Sequence, residues 1–145
     1  MDVVEIIEAT LVPMVIISGS ALIMLSIQQR YGRIIDRIRI FHGQMMLVDT
    51  RPEWKQIVKK QLEILIKRGK LLRNSLSFLM ICILSALLST VFISVDITSG
   101  NMDLPAFLLF GFSIVALFIA LIFAIIEVFI SYNAVLHEHD SIREI

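Results

Sequence analysis

Cysteine is almost absent from the 145-residue chain, and the familiar motifs of enzymes are absent too. The single cysteine, Cys82, can form no intrachain disulfide, and its apolar neighbours predict a buried, inert thiol. The chain has no HExxH helix, no Walker A loop, no GxSxG elbow and no paired-cysteine motif. Residues 137–140 (HEHD) are of metal-binding types, but neighbours two apart do not share a helix face. We therefore predict a non-enzymatic protein with no catalytic residue, cofactor or metal.

Charged side chains are missing from three segments, residues 9–27, 74–95 and 104–126, of 19, 22 and 23 residues. A helix needs about 20 apolar residues to cross a bilayer core of about 30 Å. Buried helices of a soluble bundle are the alternative, but such helices keep a polar stripe that these segments lack. The first segment has no basic flank or cleavage site typical of a cleavable signal. We predict one all-α membrane domain (1–145) with transmembrane helices at about 9–27, 74–95 and 104–127.

Lysine and arginine are almost absent outside residues 28–74, which hold twelve of the thirteen cations and only four acids. Because basic loops stay in the cytoplasm, the N-terminus is expected outside and the C-terminus inside. The predicted location is the inner (plasma) membrane, in a multi-pass arrangement. Anionic lipid headgroups at the cytoplasmic face are the expected partners. The orientation rule already accounts for the basic charge, so no nucleic-acid partner is predicted.

Residues 28–73 are too polar for the bilayer but carry a helical apolar pattern. Thr50 and Glu53 form a capping-box pattern around Pro52, which suits a helix first turn. Two arms of 21 residues, 28–48 and 53–73, flank this turn. We predict a cytoplasmic antiparallel helical hairpin between the first and second transmembrane helices, continuous with both. Gly32 is expected to mark a bend or a close backbone approach, and Gly43 to shorten the first arm.

Small side chains recur along the second and third apolar segments. The stripes are Ala86, Thr90 and Ser94 in the second segment, and Ser113, Ala116, Ala120, Ala124, Glu127 and Ser131 in the third. In the first segment a weaker face holds Thr10, Met14, Ser18 and Ser26. Because lipid-embedded helices associate through small residues, packing within or between protomers is one interpretation, and the lining of a pore is the other. A homo-oligomer is expected.

Glu127 is an ionisable residue near the cytoplasmic end of the third helix, where an unpaired charge is costly. Its predicted partner is Arg30 or Arg33 from the first helix, or Arg73 from the second. A structural ion pair and a gate or ion-binding ring in an oligomer both remain open. The candidate cluster comprises Glu127, Arg30, Arg33, Asp36, Arg37 and Arg73.

Residues 18–39, SGSALIMLSIQQRYGRIIDRIR, resemble the opening signature of domain of unknown function 2721, a family of small bacterial and archaeal membrane proteins. The Asp-Arg-x-Arg pattern of that family matches Asp36 to Arg39. The basic stretch 68–77 leads into the second helix, and Glu127 matches the glutamate that ends the third. The resemblance implies a three-helix membrane protein and no agreed activity.

Two functions remain open. The first is a homo-oligomeric channel or transport-related protein, with Glu127, Arg30, Arg33 and Arg37 near its cytoplasmic mouth. The alternative is a non-enzymatic scaffold or adaptor that docks a soluble partner or anionic lipid through the basic hairpin.

Overall fold

The computed structural model describes residues 3–47, 52–99 and 103–143, all of which are helical. The elements are α1 (Val3–Leu47), α2 (Pro52–Ser99) and α3 (Asp103–Arg143). Pro52 opens α2, a position where its missing N–H needs no partner within the helix. The rest of the predicted turn, including Thr50, lies outside the described residues.

Each helix contains a stretch that is long and apolar enough to cross a membrane: Thr10–Gly43, Val58–Val95 and Leu104–Tyr132. Large apolar side chains cover the outward faces of these stretches, and Leu22 and Phe107 are more than 70% exposed. Such surfaces suit contact with lipid better than contact with water. The prediction of three apolar membrane-spanning helices is confirmed at this level, and the chain has the character of a multi-pass membrane protein.

Neither the shortening predicted at Gly43 nor the close approach predicted at Gly32 appears. The helix passes through Gly43 and continues to Leu47. No atom outside the local backbone would come within 4 Å of a Cβ added at Gly32, so Gly32 does not mark a close approach. At Gly69 in α2 an added Cβ would lie 3.6 Å from Cγ2 of Ile34, which is ordinary van der Waals distance. Gly69 therefore faces α1 with room for a methyl group.

Buried positions recur every seven residues in all three helices. In α1 they are Pro13, Ser20, Ile27 and Ile34; in α2, Val58, Leu65, Leu72, Leu79 and Ala86; and in α3, Ala106, Ser113, Ala120 and Glu127. A seven-residue period keeps one face of each helix against its neighbour in left-handed, coiled-coil-like packing. The buried row of α1 runs without a break from the apolar segment into the basic one.

Helix α2 is central and packs against both neighbours, whereas α1 and α3 make few direct contacts. Ile34 lies beside Gly69 and Ser20 beside Cys82, so α1 and α2 run antiparallel. Ser75 bonds to Ala120 and Ser89 to Ala106, so α2 and α3 are antiparallel as well. The stacked rings of Phe78 and Phe123, with centroids 5.7 Å apart, add an aromatic contact between α2 and α3.

Candidate functional site

Glu127 joins all three helices. Its Oε1 accepts hydrogen bonds from Nε and Nη2 of Arg68 in α2, at 3.0 and 2.9 Å. Its Oε2 lies 3.6 Å from Nη1 of Arg30 in α1, which is ion-pair distance but longer than a hydrogen bond. Charge-assisted bonds of the Arg68 type are about twice as strong as neutral ones. Arg68 is therefore the principal partner and Arg30 the second.

Burial differs sharply among the three charged side chains. Only 2% of the Glu127 side chain is exposed, against 20% of Arg68 and 48% of Arg30. Because two guanidinium groups share one carboxylate, the cluster keeps a formal charge of +1. Arg30 is the most exposed member of the cluster, so the excess positive charge lies on its solvent-facing side.

The seven-residue spacing explains why Arg68 meets Glu127. Arg68, Ser75, Cys82 and Ser89 form one row along α2, which we call the polar row. It faces a row of α3 that consists of Ala106, Ser113, Ala120 and Glu127, which we call the small row.

Hydrogen bonds set the register between these two rows. Ser75 donates to the carbonyl oxygen of Ala120 at 2.7 Å, and Ser89 donates to that of Ala106 at 2.9 Å. Arg68 lies seven residues before Ser75, and Glu127 seven residues after Ala120. One register therefore aligns both serine bonds and the ion pair.

Four residues of the predicted cluster are not brought to Glu127. Arg33, Asp36, Arg37 and Arg73 are exposed, and none forms an ion pair within residues 3–47, 52–99 and 103–143. Arg73 follows Arg68 by five residues, which turns it about 140° around the helix axis. The structure thus places Arg30 with Glu127 and adds Arg68, which is not among the residues of the predicted cluster. The spacing of Arg68 from Ser75, Cys82 and Ser89 was the available signal.

The small residues of α3 pack inside the protomer, since Ser113, Ala116 and Ala120 are buried. The three residues of the predicted α2 stripe differ in their contacts. Ala86 is buried, but Thr90 and Ser94 bond to carbonyl oxygens of their own helix. The bonds that cross to α3 come from Ser75, Ser85 and Ser89. In α1 the buried face contains Pro13 and Ser20, whereas Met14, Ser18 and Ser26 of the predicted face are exposed.

Polar groups in the interior are satisfied. Ser20 Oγ and Cys82 Sγ lie 3.5 Å apart and link α1 to α2. Across the described parts of the chain, every buried side-chain nitrogen or oxygen has a hydrogen-bond partner. Ser75, Ser85 and Ser89 also bond to a neighbouring helix, whereas the buried Ser113 donates to the carbonyl oxygen of Phe110 in its own helix.

An open groove of about 400 Å³ lies between α1 and α3, beside the charged cluster. Ile23 and Ile27 of α1 and Leu121, Ile125 and Val128 of α3 make its walls apolar. Arg30 lines the same groove, at the end nearest Glu127. The groove therefore combines a long apolar wall with one cationic end.

The fold and this cluster define a three-helix, multi-pass type of membrane protein joined by an interhelical carboxylate–guanidinium site. The chain belongs to the family described as protein of unknown function (DUF2721), whose model matches residues 10–136. This confirms the resemblance drawn from the sequence, and the matched range includes Glu127, Arg30 and Arg68. No curated protein and no solved structure was found to match the chain.

Proposed function

We propose that this protein is a non-enzymatic membrane scaffold that docks an acidic soluble partner through a basic helical hairpin. In this arrangement α1 and α2 extend from the inner (plasma) membrane into the cytoplasm as antiparallel arms. The N-terminus lies outside and the C-terminus inside, as the distribution of lysine and arginine favours. Anionic lipid headgroups contact the base of the hairpin.

The observation that carries this proposal is the separation of apolar and cationic side chains along the two arms. Ile34, Val58, Leu65 and Leu72 are buried between the helices. The cations around them are exposed: Arg33, Arg37, Arg39, Lys59, Lys60, Lys67, Lys70 and Arg73. An apolar seam stabilises the two arms while the charge remains available on the outside. A surface of this kind attracts acidic partners and speeds their encounter.

Distance favours a soluble partner for the outer cations. At 1.5 Å per residue, Lys59 lies about 21 Å along α2 from Arg73. Electrostatic attraction to lipid headgroups decays within a Debye length of about 8 Å at physiological salt. Cations near Arg73 are thus placed to act on lipid, whereas Lys59 and Lys60 are placed to meet a protein.

The buried polar groups of the described residues already have partners within the protein, which supports a scaffold rather than an ion path through a single chain. The carboxylate of Glu127 has two cationic partners, and Ser75 and Ser89 donate to carbonyl oxygens of α3. These interactions favour the structural interpretation of the Glu127 pair, as a lock between helices.

A homo-oligomeric channel is the second candidate, and the outward face of α1 favours it. Ser18, Gly19 and Ser26 are exposed on a helix that otherwise presents large apolar side chains. Small residues facing lipid are typical of helix–helix interfaces between protomers. Joining several protomers through this face would bring several copies of Arg30 together near the cytoplasmic side.

The test reverses the charge at the outer end of the hairpin. Lys59→Glu with Lys60→Glu is expected to abolish capture of the proteins that the full-length wild type retains from a cell extract. The matched control, Lys59→Arg with Lys60→Arg, keeps the charge and should keep the partner. Equal capture by both double variants would contradict docking through these cations.

A paired deletion separates the two candidate functions. Removing residues 41–47 and 56–62 shortens each arm by two helical turns and preserves the seven-residue register. The scaffold proposal expects this variant to lose its partner, and expects the wild type to conduct no ions in liposomes. Ion flux by the wild type that survives the deletion would support the channel instead.

A further inference from the structure

We propose that the groove between α1 and α3 binds one anionic phospholipid, with an acyl chain along the apolar wall and the phosphate on Arg30. This site goes beyond the scaffold proposal, because it uses a different surface from the outer cations of the hairpin. Either proposal can fail while the other stands.

The groove has the size and position to take an acyl chain. Its volume of about 400 Å³ falls within the range of about 300–1,000 Å³ typical of ligand pockets. From Ile23 to Arg30 the α1 wall covers about 10 Å, less than one leaflet of a core about 30 Å thick. Helices α1 and α3 share the same direction, so their groove residues approach the cytoplasmic side together. The occupant is therefore a lipid of the inner leaflet.

The charge of the site selects an anionic headgroup. Arg68 donates two hydrogen bonds to Oε1 of Glu127, so the carboxylate keeps its principal partner when Arg30 turns toward a ligand. Arg30 is 3.6 Å from the carboxylate and half exposed, and guanidinium has five N–H donors. A phosphate on Arg30 would neutralise the remaining +1 charge of the cluster. Basic pockets between transmembrane helices on the cytoplasmic side bind anionic headgroups in this way.

A lipid fits this groove better than a helix from a second copy of the chain. An apolar helix laid along the groove would shield Arg30 from water without supplying a counter-charge, which is costly. A phospholipid supplies both the hydrocarbon for Ile27 and Val128 and the anion for Arg30.

The first experiment measures lipid retention. Full-length protein is reconstituted in vesicles of equal parts phosphatidylglycerol and phosphatidylcholine, extracted, and analysed by native mass spectrometry. Wild type is expected to retain one phosphatidylglycerol per chain. Arg30→Gln should bind it about tenfold more weakly, as expected for the loss of one charge-assisted contact. Lys59→Gln removes an exposed charge of the same sign, about 21 Å along α2 from Arg73 and outside the groove, and should leave retention unchanged.

A second pair of variants tests the apolar wall. Val128→Trp fills the groove and should reduce retention of phosphatidylglycerol by a similar factor. Val115→Trp makes the same change at an exposed position of α3 outside the groove and should have no effect. In dodecyl maltoside, dodecyl phosphate should raise the Tm of the wild type, whereas inorganic phosphate should not, because only the former supplies both chain and anion.

Any one of the following results would overturn the proposal. Equal retention of phosphatidylcholine would show that the headgroup is not recognised, and equal losses in Arg30→Gln and Lys59→Gln would show a general charge effect. Disulfide-linked dimers through Ser26→Cys, in a Cys82→Ser background, would assign the groove to a second copy. If Arg30→Gln does not fold, lipid retention is measured with Arg30→Lys instead. It keeps the charge and should retain most of the lipid, and a complete loss would contradict the site.

Discussion

Replacing Arg68 with leucine is expected to leave Glu127 buried without its principal partner. The two groups are 2.9 Å apart at their closest, and only 2% of the glutamate side chain is exposed. At an effective dielectric constant of about 20, opposite charges at this distance attract by about 6 kcal/mol. Arg30, at 3.6 Å but half exposed, contributes about 1 kcal/mol at the dielectric constant of water.

The net cost of the substitution is smaller than this attraction, because forming the pair also costs desolvation. Breaking a buried ion pair by removing one partner typically destabilises a protein by about 3–5 kcal/mol. Since Arg30 remains near the carboxylate, we expect the lower end, about 3 kcal/mol. For a chain of this size, that corresponds to a drop in Tm of roughly 10 °C.

The only cysteine provides the assay. Cys82 is fully buried between helices, so a fluorogenic maleimide should label it only when they separate. Thermal unfolding in mild detergent, followed by this labelling, reports the Tm of each variant. Arg73→Leu is the matched control, because it removes an exposed arginine from the same helix and should change stability by no more than about 0.5 kcal/mol.

A double variant tests the reasoning more strictly. In Arg68→Leu with Glu127→Leu no buried charge remains unpaired, and replacing a whole buried pair by apolar residues is often neutral or stabilising. We expect the double variant to return to within about 1 kcal/mol of wild type. The assignment of Arg68 as the partner of Glu127 would be refuted if the double variant lost as much stability as Arg68→Leu and Glu127→Leu lose together.

Three further predictions follow from the packing and the charge distribution. Ser75→Ala removes the donor to Ala120 and should cost about 0.6 kcal/mol, as typical for interhelical bonds in membranes; Ser77→Ala, whose hydroxyl bonds within its own helix, should be neutral in the same thermal assay. Gly69→Ala should be tolerated or stabilising by up to about 1 kcal/mol, because its Cβ would meet Ile34 at ordinary contact distance, whereas Gly69→Leu should cost about 1–3 kcal/mol. A reporter active only in the cytoplasm should work at the C-terminus and fail at the N-terminus, and the reverse pattern would contradict the predicted orientation.

The sequence determined the helical architecture because its signals are local and strong. Segments of about 20 residues without charge can satisfy their backbone in lipid only as helices or closed barrels, and their length suits helices. The helical apolar pattern of residues 28–73 predicted that α1 would continue beyond its apolar segment, and α1 does continue to Leu47. Membership of the family could likewise be read from residues 18–39 and Glu127.

The same patterns could not identify which polar side chains meet. Ser75 and Ser89 reach across to α3, whereas Thr90 and Ser94 bond to their own helix, although all four lie in one apolar segment. A hydroxyl in a helix can bond to the preceding turn or to a neighbour, and only the approach of another backbone decides between them.

What the sequence determined by itself is therefore the number of apolar helices, the continuity of α1 and α2 beyond their apolar segments, and the ionisable residue that needs a partner. Only the tertiary structure decided that this partner is Arg68 with Arg30, and that Ser20 rather than Ser18 faces inward. The physical reason is that an apolar helix in lipid presents a similar apolar surface all around its axis. Its rotation about its own axis is chosen by the packing of small residues and the pairing of buried polar groups, which exist only once the helices meet.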